Sequence, residues 1–230
     1  MLKFDVEDRV GRIVIGRASM GNALTEEMVR QLGEIMLQAA QEADILMLAG
    51  EGADFTIGRD RQEPRKSTPF DAFRHISALN AAMAAFPGIL ITGVRGRAFG
   101  LGIGLIMRSD IAIASADAQF ALDEVKLGIP PMFIMEEILE HVPAKRALEI
   151  ILSSREFGAD EALQMGLVSR VVPAAGLDQA VDEFCGVLRR RDRSVVLACK
   201  RYLRAVGKMP VDARSAFALV EQTQFAMSKH

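Results

Sequence analysis

Three short apolar segments, each separated from the next by a helical pattern, constrain the fold more than any other feature of the sequence. They span residues 45–49, 89–94 and 110–114, and each is short enough to be one buried strand. Helical patterns lie between them, over residues 70–86 and in the stretch that leads to residue 108. Because strands that alternate with helices are joined by crossover connections, the sequence predicts an α/β fold.

The segments on either side extend this prediction. Residues 1–16 alternate charged and apolar side chains, which predicts two short strands. Thr25 is placed to cap a helix whose first turn carries two glutamates. From residue 143 onward the pattern is mostly helical. We therefore expect an α/β core over residues 1–190 and a helical segment over residues 191–230.

Composition excludes several classes of protein. The 230 residues are half apolar and one quarter charged, as in an ordinary soluble globular protein. A net charge of −2, no tryptophan and one tyrosine argue against a nucleic-acid surface. We expect no signal peptide, no membrane span and a cytoplasmic location. Cys185 and Cys199 fall on apolar faces of predicted helices, which predicts buried, inert thiols and no metal site.

Two glycine-containing segments each follow a predicted buried strand, at residues 50–60 and 96–104. Glycine lets the backbone approach a ligand closely, and a helix that begins in the second segment has free N–H groups at its first turn. One N–H from each segment would form an oxyanion hole. Two alternatives remain open. In the first, the two segments are only tight strand-to-helix turns. In the second, they bind a dinucleotide, although Gly100-x-Gly102-x-Gly104 lacks the G-x-G-x-x-G spacing of such sites.

Short motifs follow one another in a fixed order between residues 14 and 200. They read Asn22-Ala23-Leu24, Asp54-Phe55-x-x-Gly58-x-Asp60, Val94-x-Gly96-x-Ala98-x-Gly100-x-Gly102, Phe120-x-x-x-Glu124-x-x-Leu127-Gly128 and Ala159-x-Glu161-Ala162-x-x-x-Gly166. Each motif is weak alone, but their order and spacing together resemble the enoyl-CoA hydratase/isomerase (crotonase) family. The resemblance implies a fold of stacked ββα units with a helical C-terminal part. It also implies an acyl-CoA substrate and a homotrimer or hexamer, with residues 191–230 as the trimerisation segment.

The resemblance further implies which residues act. The oxyanion hole would consist of the backbone amides of Ile57 and Leu101, and Glu124 would be the catalytic acid and base. The implied substrate-binding residues are Ile57, Gly58, Arg59, Asp60, Gly100 and Gly102. Since coenzyme A is then part of the substrate, we expect no separate cofactor and no metal.

Position 104 departs from the family pattern. Family hydratases use two carboxylates; one matches Glu124, and the other would fall at position 104, where this chain has glycine. Syn addition of water to a conjugated double bond needs two groups that position the water and transfer its protons. A single glutamate suffices to move a proton between two carbons, which favours isomerisation. Glu136 or Glu137 is an alternative source of the second acid.

We therefore expect an enzyme that isomerises or hydrates the double bond of an acyl-CoA through an oxyanion-stabilised enolate. One alternative is a decarboxylase or hydrolase of a thioester of CoA or of a carrier protein. Another is a non-catalytic homologue that binds acyl-CoA. If Glu124 is not catalytic, the alternative is that it lies in a solvated turn and pairs with Lys126. His75 is interpreted as a structural histidine.

Overall fold

The structure is a computed structural model that describes residues 1–64 and 67–229. Arg65, Lys66 and His230, the last residue of the predicted helical segment, lie outside the described residues. The chain divides into two compact units, Met1–Phe184 and Cys185–His230. The predicted boundary at residue 190 and the trimerisation role of residues 191–230 remain predictions.

Strands predominate in the first part of the described chain, between helices, and helices predominate in the last part. The strands are β1 (Leu2–Glu7), β2 (Val10–Ile15), β3 (Ile45–Gly50), β4 (Ile89–Val94), β5 (Arg97–Phe99), β6 (Ile111–Ser115), β7 (Gln119–Ala121), β8 (Phe157–Gly158) and β9 (Arg170–Val172). The helices are α1 (Glu26–Glu42), α2 (Pro69–Ala85), α3 (Leu101–Met107), α4 (Met132–Ile138), α5 (Ala144–Ser153), α6 (Ala159–Gln164), α7 (Leu177–Arg189), α8 (Arg193–Val206) and α9 (Arg214–Met227).

The main sheet has six strands in the order β1-β2-β3-β4-β6-β9. Among the described residues of this sheet, β1 and β2 pair antiparallel, and the other neighbouring strands pair parallel. All six residues of β4 are buried, as expected for a parallel strand covered on both faces. The three predicted apolar segments correspond to β3, β4 and β6, so the α/β prediction is confirmed. Parallel pairing of β3 with β4 brings the ends of both strands to the same edge of the sheet.

Two local signals in the N-terminal region are confirmed. The hairpin between β1 and β2 turns at Asp8 and Arg9, which have φ values of 48° and 62°. Two left-handed residues in a row match the right-handed twist of the strands that they join. Thr25 caps α1, since its Oγ1 accepts a hydrogen bond from the Met28 N–H at 3.2 Å.

The region after residue 143 is not entirely helical. β9 pairs with β6 as the edge of the main sheet, and β8 pairs with β7 in a second sheet of order β5-β7-β8. The mostly helical prediction missed both strands. They are two and three residues long, too short for a period-2 pattern to be visible in the sequence.

The second compact unit consists largely of α8 and α9. The rings of Tyr202 and Phe217 stack with their centroids 5.3 Å apart and an interplanar angle of 10°. The prediction for the two thiols was half right, because Cys185 is buried and Cys199 is exposed. A cysteine on the apolar face of a helix is buried only where another element covers that face. No helix among the described residues is long and apolar enough to cross a membrane.

Candidate active site

The two glycine-containing segments lie side by side at the edge of the main sheet. The Thr56 N–H donates to the Arg97 carbonyl, and the Phe99 N–H donates to the Thr56 carbonyl, both at 3.0 Å. These bonds form a short parallel bridge between residues that follow β3 and residues of β5. The expectation that both segments contribute to one site therefore has a structural basis.

An ion pair fixes the same junction. The Arg97 backbone N–H and Nε donate to Asp54 Oδ1 at 2.9 and 3.0 Å, and Nη2 donates to Oδ2 at 2.7 Å. The hydrogen bonds from the Arg97 side chain lower the pKa of Asp54, against the opposing effect of burial. Two planar groups that meet through several bonds have little freedom to rotate, so the pair holds one segment against the other.

A buried asparagine sets the conformation of the first segment. The Asn22 side-chain amide donates to the carbonyls of Glu51 and Asp54, at 2.9 and 2.7 Å. The Thr56 hydroxyl donates to the Asn22 carbonyl at 2.7 Å and accepts from the Gly58 N–H at 3.1 Å. Because these groups are buried and paired, the loop is a defined structure and not a solvated turn.

The predicted amide of Ile57 is already hydrogen-bonded, since it donates to the Gly21 carbonyl at 3.0 Å. This bond contradicts the assignment of Ile57 to the oxyanion hole. Within residues 55–60, the amide of Arg59 is the one donor that has no acceptor among residues 1–64 and 67–229. Gly58 lies between the two amides with a positive φ of 83°, which turns the N–H of Arg59 away from the side that the N–H of Ile57 faces. Sequence spacing alone does not reveal such a reversal.

The second segment supplies the Leu101 amide. Leu101 is the first residue of α3, so its N–H has no partner within the helix, and it has none elsewhere in the described chain. A Cβ at Gly58 would lie 2.7 Å from the Phe99 carbonyl oxygen and 3.3 Å from the Leu101 nitrogen. Only glycine allows this approach, which brings the first segment against the start of α3.

Glu124 lies over the start of this helix. A Cβ at Gly100 would lie 2.6 Å from Glu124 Oε1, so the carboxyl group occupies the space that a side chain would need. Its Oε2 atom is buried and has no hydrogen-bond partner among the described residues. Burial raises the pKa of Glu124, and the nearby Asp123 raises it further. A carboxyl group with a raised pKa is suited to accept and return a proton.

The other predicted residues of the site make structural contacts with their neighbours. Gly102 packs against the first segment, since its Cβ would lie 2.9 Å from Thr56 Cγ2. Asp60 forms an ion pair with Arg17 Nη1 at 2.6 Å. Burial acts to raise the pKa of Asp60, but the hydrogen bond and charge of Arg17 and the backbone N–H groups of Gln62 and Glu63 together outweigh it, so the pKa lies below its usual value. His75 lies 3.4 Å from Glu26 Oε1, consistent with a structural role.

The second-acid position is a buried glycine. Gly104 lies inside α3, and Glu136 and Glu137 do not occupy its place. Instead, their carboxylates lie 3.9 and 3.5 Å from Nη2 of Arg108, a residue that the sequence analysis did not single out. The sequence marks Arg108 only weakly, as a single charged residue that follows an apolar helical stretch one turn after Gly104. Asp123, the neighbour of Glu124, forms an ion pair with Arg61.

A cleft of about 210 Å³ opens beside the first segment. Its wall combines apolar groups such as Ile57 and Phe99 with charged groups that include Arg59 and Arg97. The Arg59 guanidinium lies 3.7 Å from Glu63, and its Nε atom is buried with no acceptor among the described residues. The cleft therefore offers a ligand an apolar surface together with charged side chains of both signs.

Comparison with known proteins agrees with this geometry. The family model of enoyl-CoA hydratase/isomerase matches residues 5–228. A probable enoyl-CoA hydratase of Mycobacterium bovis is 33% identical over 175 residues, which cover 74% of this chain and 68% of that protein. The mitochondrial enoyl-CoA hydratase domain-containing protein 3 of Mus musculus is 28% identical over 222 residues, covering 94% and 73%.

Solved structures agree with the sequence relatives. A Thermobifida fusca structure, described as a candidate enoyl-CoA hydratase in complex with CoA, superposes with a TM-score of 0.89 at 29% identity. The match covers 99% of this chain and 93% of that one. The resemblance in the motifs and the crotonase-type fold are thereby confirmed, and the chain belongs to the enoyl-CoA hydratase/isomerase family as a hydratase/isomerase-like enzyme.

Proposed function

We propose that the protein moves the double bond of an enoyl-CoA thioester, with Glu124 as the one acid–base group. The observation that carries this proposal is the buried Glu124 carboxyl, which lies against Gly100 at the start of α3, while position 104 is glycine. One carboxylate beside two free amides matches a reaction that needs one base and one oxyanion site.

The free amides are assigned to the thioester oxygen. When a proton leaves the carbon next to the thioester, negative charge moves onto this oxygen. The N–H groups of Arg59 and Leu101 would donate to it, and one such donor contributes about 3 kcal/mol to the transition state. Both donors are backbone groups held by neighbouring strands and loops, so little reorganisation is needed during the reaction.

Glu124 then completes the proton transfer. In a 3-enoyl thioester it would remove a proton from C2, which forms a dienolate, and return the proton to C4. The product is the conjugated 2-enoyl thioester, and the carboxylate is regenerated. Burial supports this role because it raises the pKa of the carboxyl toward neutral pH, where a group can both accept and return a proton.

The thioester is proposed to be that of coenzyme A, which makes CoA part of the substrate and leaves no need for a cofactor. The CoA in the Thermobifida fusca relative supports this choice. In this chain the cleft beside Ile57 and Arg59 is large enough for part of such a molecule. The Arg59 guanidinium is suited to a phosphate group.

Hydration is the second candidate, favoured by the names of the relatives, several of which are called hydratases. It requires a second group to transfer a proton to or from water. The glycine at position 104 argues against it, since no carboxylate side chain begins there.

A panel of 2-enoyl- and 3-enoyl-CoA thioesters distinguishes the two reactions through the absorbance of the conjugated thioester. We expect 3-enoyl substrates to gain this absorbance, and Glu124→Gln to lose the activity by roughly 10²-fold or more. Glu140→Gln, the same change at an exposed glutamate, is the matched control and should behave as wild type. Loss of absorbance from 2-enoyl substrates would establish hydration instead, and turnover that survives in Glu124→Gln would refute the role of Glu124.

Assembly and location also remain proposals. We propose a homotrimer or hexamer, which sedimentation velocity would test against a monomer of 25.1 kDa. A cytoplasmic location stays a prediction, since the mouse relative is named as mitochondrial.

A further inference from the structure

Arg108 is a buried cation that the proposed reaction does not use. Its side chain is 5% exposed, and the residue follows α3 directly, one turn after Gly104. Burying a guanidinium is costly unless it is paired and hydrogen-bonded. Its contacts therefore indicate what the surrounding structure uses it for.

The guanidinium reaches back along the helix to the second-acid position. Nη1 donates to the Gly104 carbonyl at 3.3 Å, and Nη2 donates to the Phe133 carbonyl at 3.1 Å. Nη2 also lies 3.5 Å from a carboxylate oxygen of Glu137 and 3.9 Å from one of Glu136. These contacts fix the guanidinium between α3 and α4.

The same group borders the space that a side chain at position 104 would enter. A Cβ at Gly104 would lie 3.8 Å from Arg108 Nη1, 3.8 Å from Leu101 Cδ1 and 3.9 Å from Ile134 Cγ1. These are ordinary contacts, so the space admits a side chain, and its polar neighbour is the guanidinium. Arginine stays protonated in proteins and accepts no proton, so it cannot activate water.

We propose that Arg108 is a specificity-determining residue that would hold a carboxylate at position 104 as a bound anion, and so keeps this position from serving in proton transfer. The inference rests on the proposed function. A glutamate at position 104 would lie four residues before Arg108 on one helix, the favourable order for an ion pair. In a buried site this pairing is strengthened, and the carboxylate is held as a bound anion. A carboxylate held in this way is not free to position water and transfer its protons.

The test compares Gly104→Glu with the double variant Gly104→Glu/Arg108→Met. Methionine retains an unbranched apolar side chain but removes the cation. We expect the double variant to hydrate a 2-enoyl-CoA at least 10²-fold faster than the single variant, the factor that a free acid–base group contributes. Gly104→Glu/Arg146→Met is the matched control, since Arg146 pairs with Glu161 on α6. It should hydrate no faster than Gly104→Glu.

Two kinetic results overturn the inference. One is equal hydration by the single and double variants, and the other is no hydration by either. Wild-type isomerisation and its loss in Glu124→Gln report separately on the proposed function. A ¹³C NMR titration of the introduced carboxyl needs no turnover. Its pKa should lie below the usual value beside Arg108 and above it in the double variant, and equal values would also refute the inference. Gly104→Asp replaces Gly104→Glu if the latter does not fold.

Discussion

The contact between Gly100 and Glu124 makes the position of the carboxyl group testable without changing the carboxyl itself. In Gly100→Ala the new Cβ would lie 2.6 Å from Glu124 Oε1, whereas ordinary contacts begin at 3.4 Å. The carboxyl must therefore move by about 0.8 Å. A misplacement of about 1 Å can reduce a rate by roughly 10²-fold. We expect kcat for 3-enoyl-CoA isomerisation to fall by about this factor.

Gly166→Ala separates this effect from backbone strain. Gly100 and Gly166 both have a positive φ, 51° and 79°, and alanine costs about 1–2 kcal/mol in the left-handed helical region. The ψ of Gly100 is −117°, outside that region, so alanine costs more there. For a chain of this size, 1 kcal/mol lowers Tm by about 2–4 °C. A Cβ at Gly166 would make only an ordinary contact, 3.6 Å from the His141 carbonyl oxygen. We expect Tm to fall in both variants, and further in Gly100→Ala, whereas kcat should fall only in Gly100→Ala. Equal kcat in both variants would refute the placement of Glu124.

Three further outcomes are expected. Because burial raises the folded-state pKa of Glu124, its ionised form destabilises the protein as pH rises above about 4.5. Glu124→Gln should therefore raise Tm at pH 7, with a difference that shrinks as the pH falls, measured by thermal unfolding. The lowered pKa of Asp54 gives stability that is present above its usual value of 3.8 and lost below it. Asp54→Asn should lower Tm at pH 7 by a few degrees, with little difference from wild type near a pH of roughly 2. Leu101 is the first residue of α3, a position that tolerates proline, so Leu101→Pro removes the N–H donor without breaking the helix. It should reduce kcat by roughly 10²-fold, whereas Leu101→Ala keeps the donor and should leave kcat near that of wild type.

Much of the fold was predictable because its signals are local. The three buried segments became β3, β4 and β6, and Thr25 caps α1. Such signals depend on side chains a few residues apart, which the sequence shows directly. The short strands β8 and β9 could not be predicted, since strands of two or three residues exist only through the partners with which they pair.

The candidate site divides in the same way. The sequence by itself determined the family, the glutamate at position 124 and the glycine at position 104, because these depend on residue identity and spacing. Only the tertiary structure decided that the Ile57 amide is occupied, that the Arg59 amide is free, and that Arg108 borders position 104. The direction of an N–H depends on a backbone dihedral angle, here the positive φ of Gly58. The reach of a long side chain depends on the space left by its neighbours, and neither quantity is encoded in spacing along the chain.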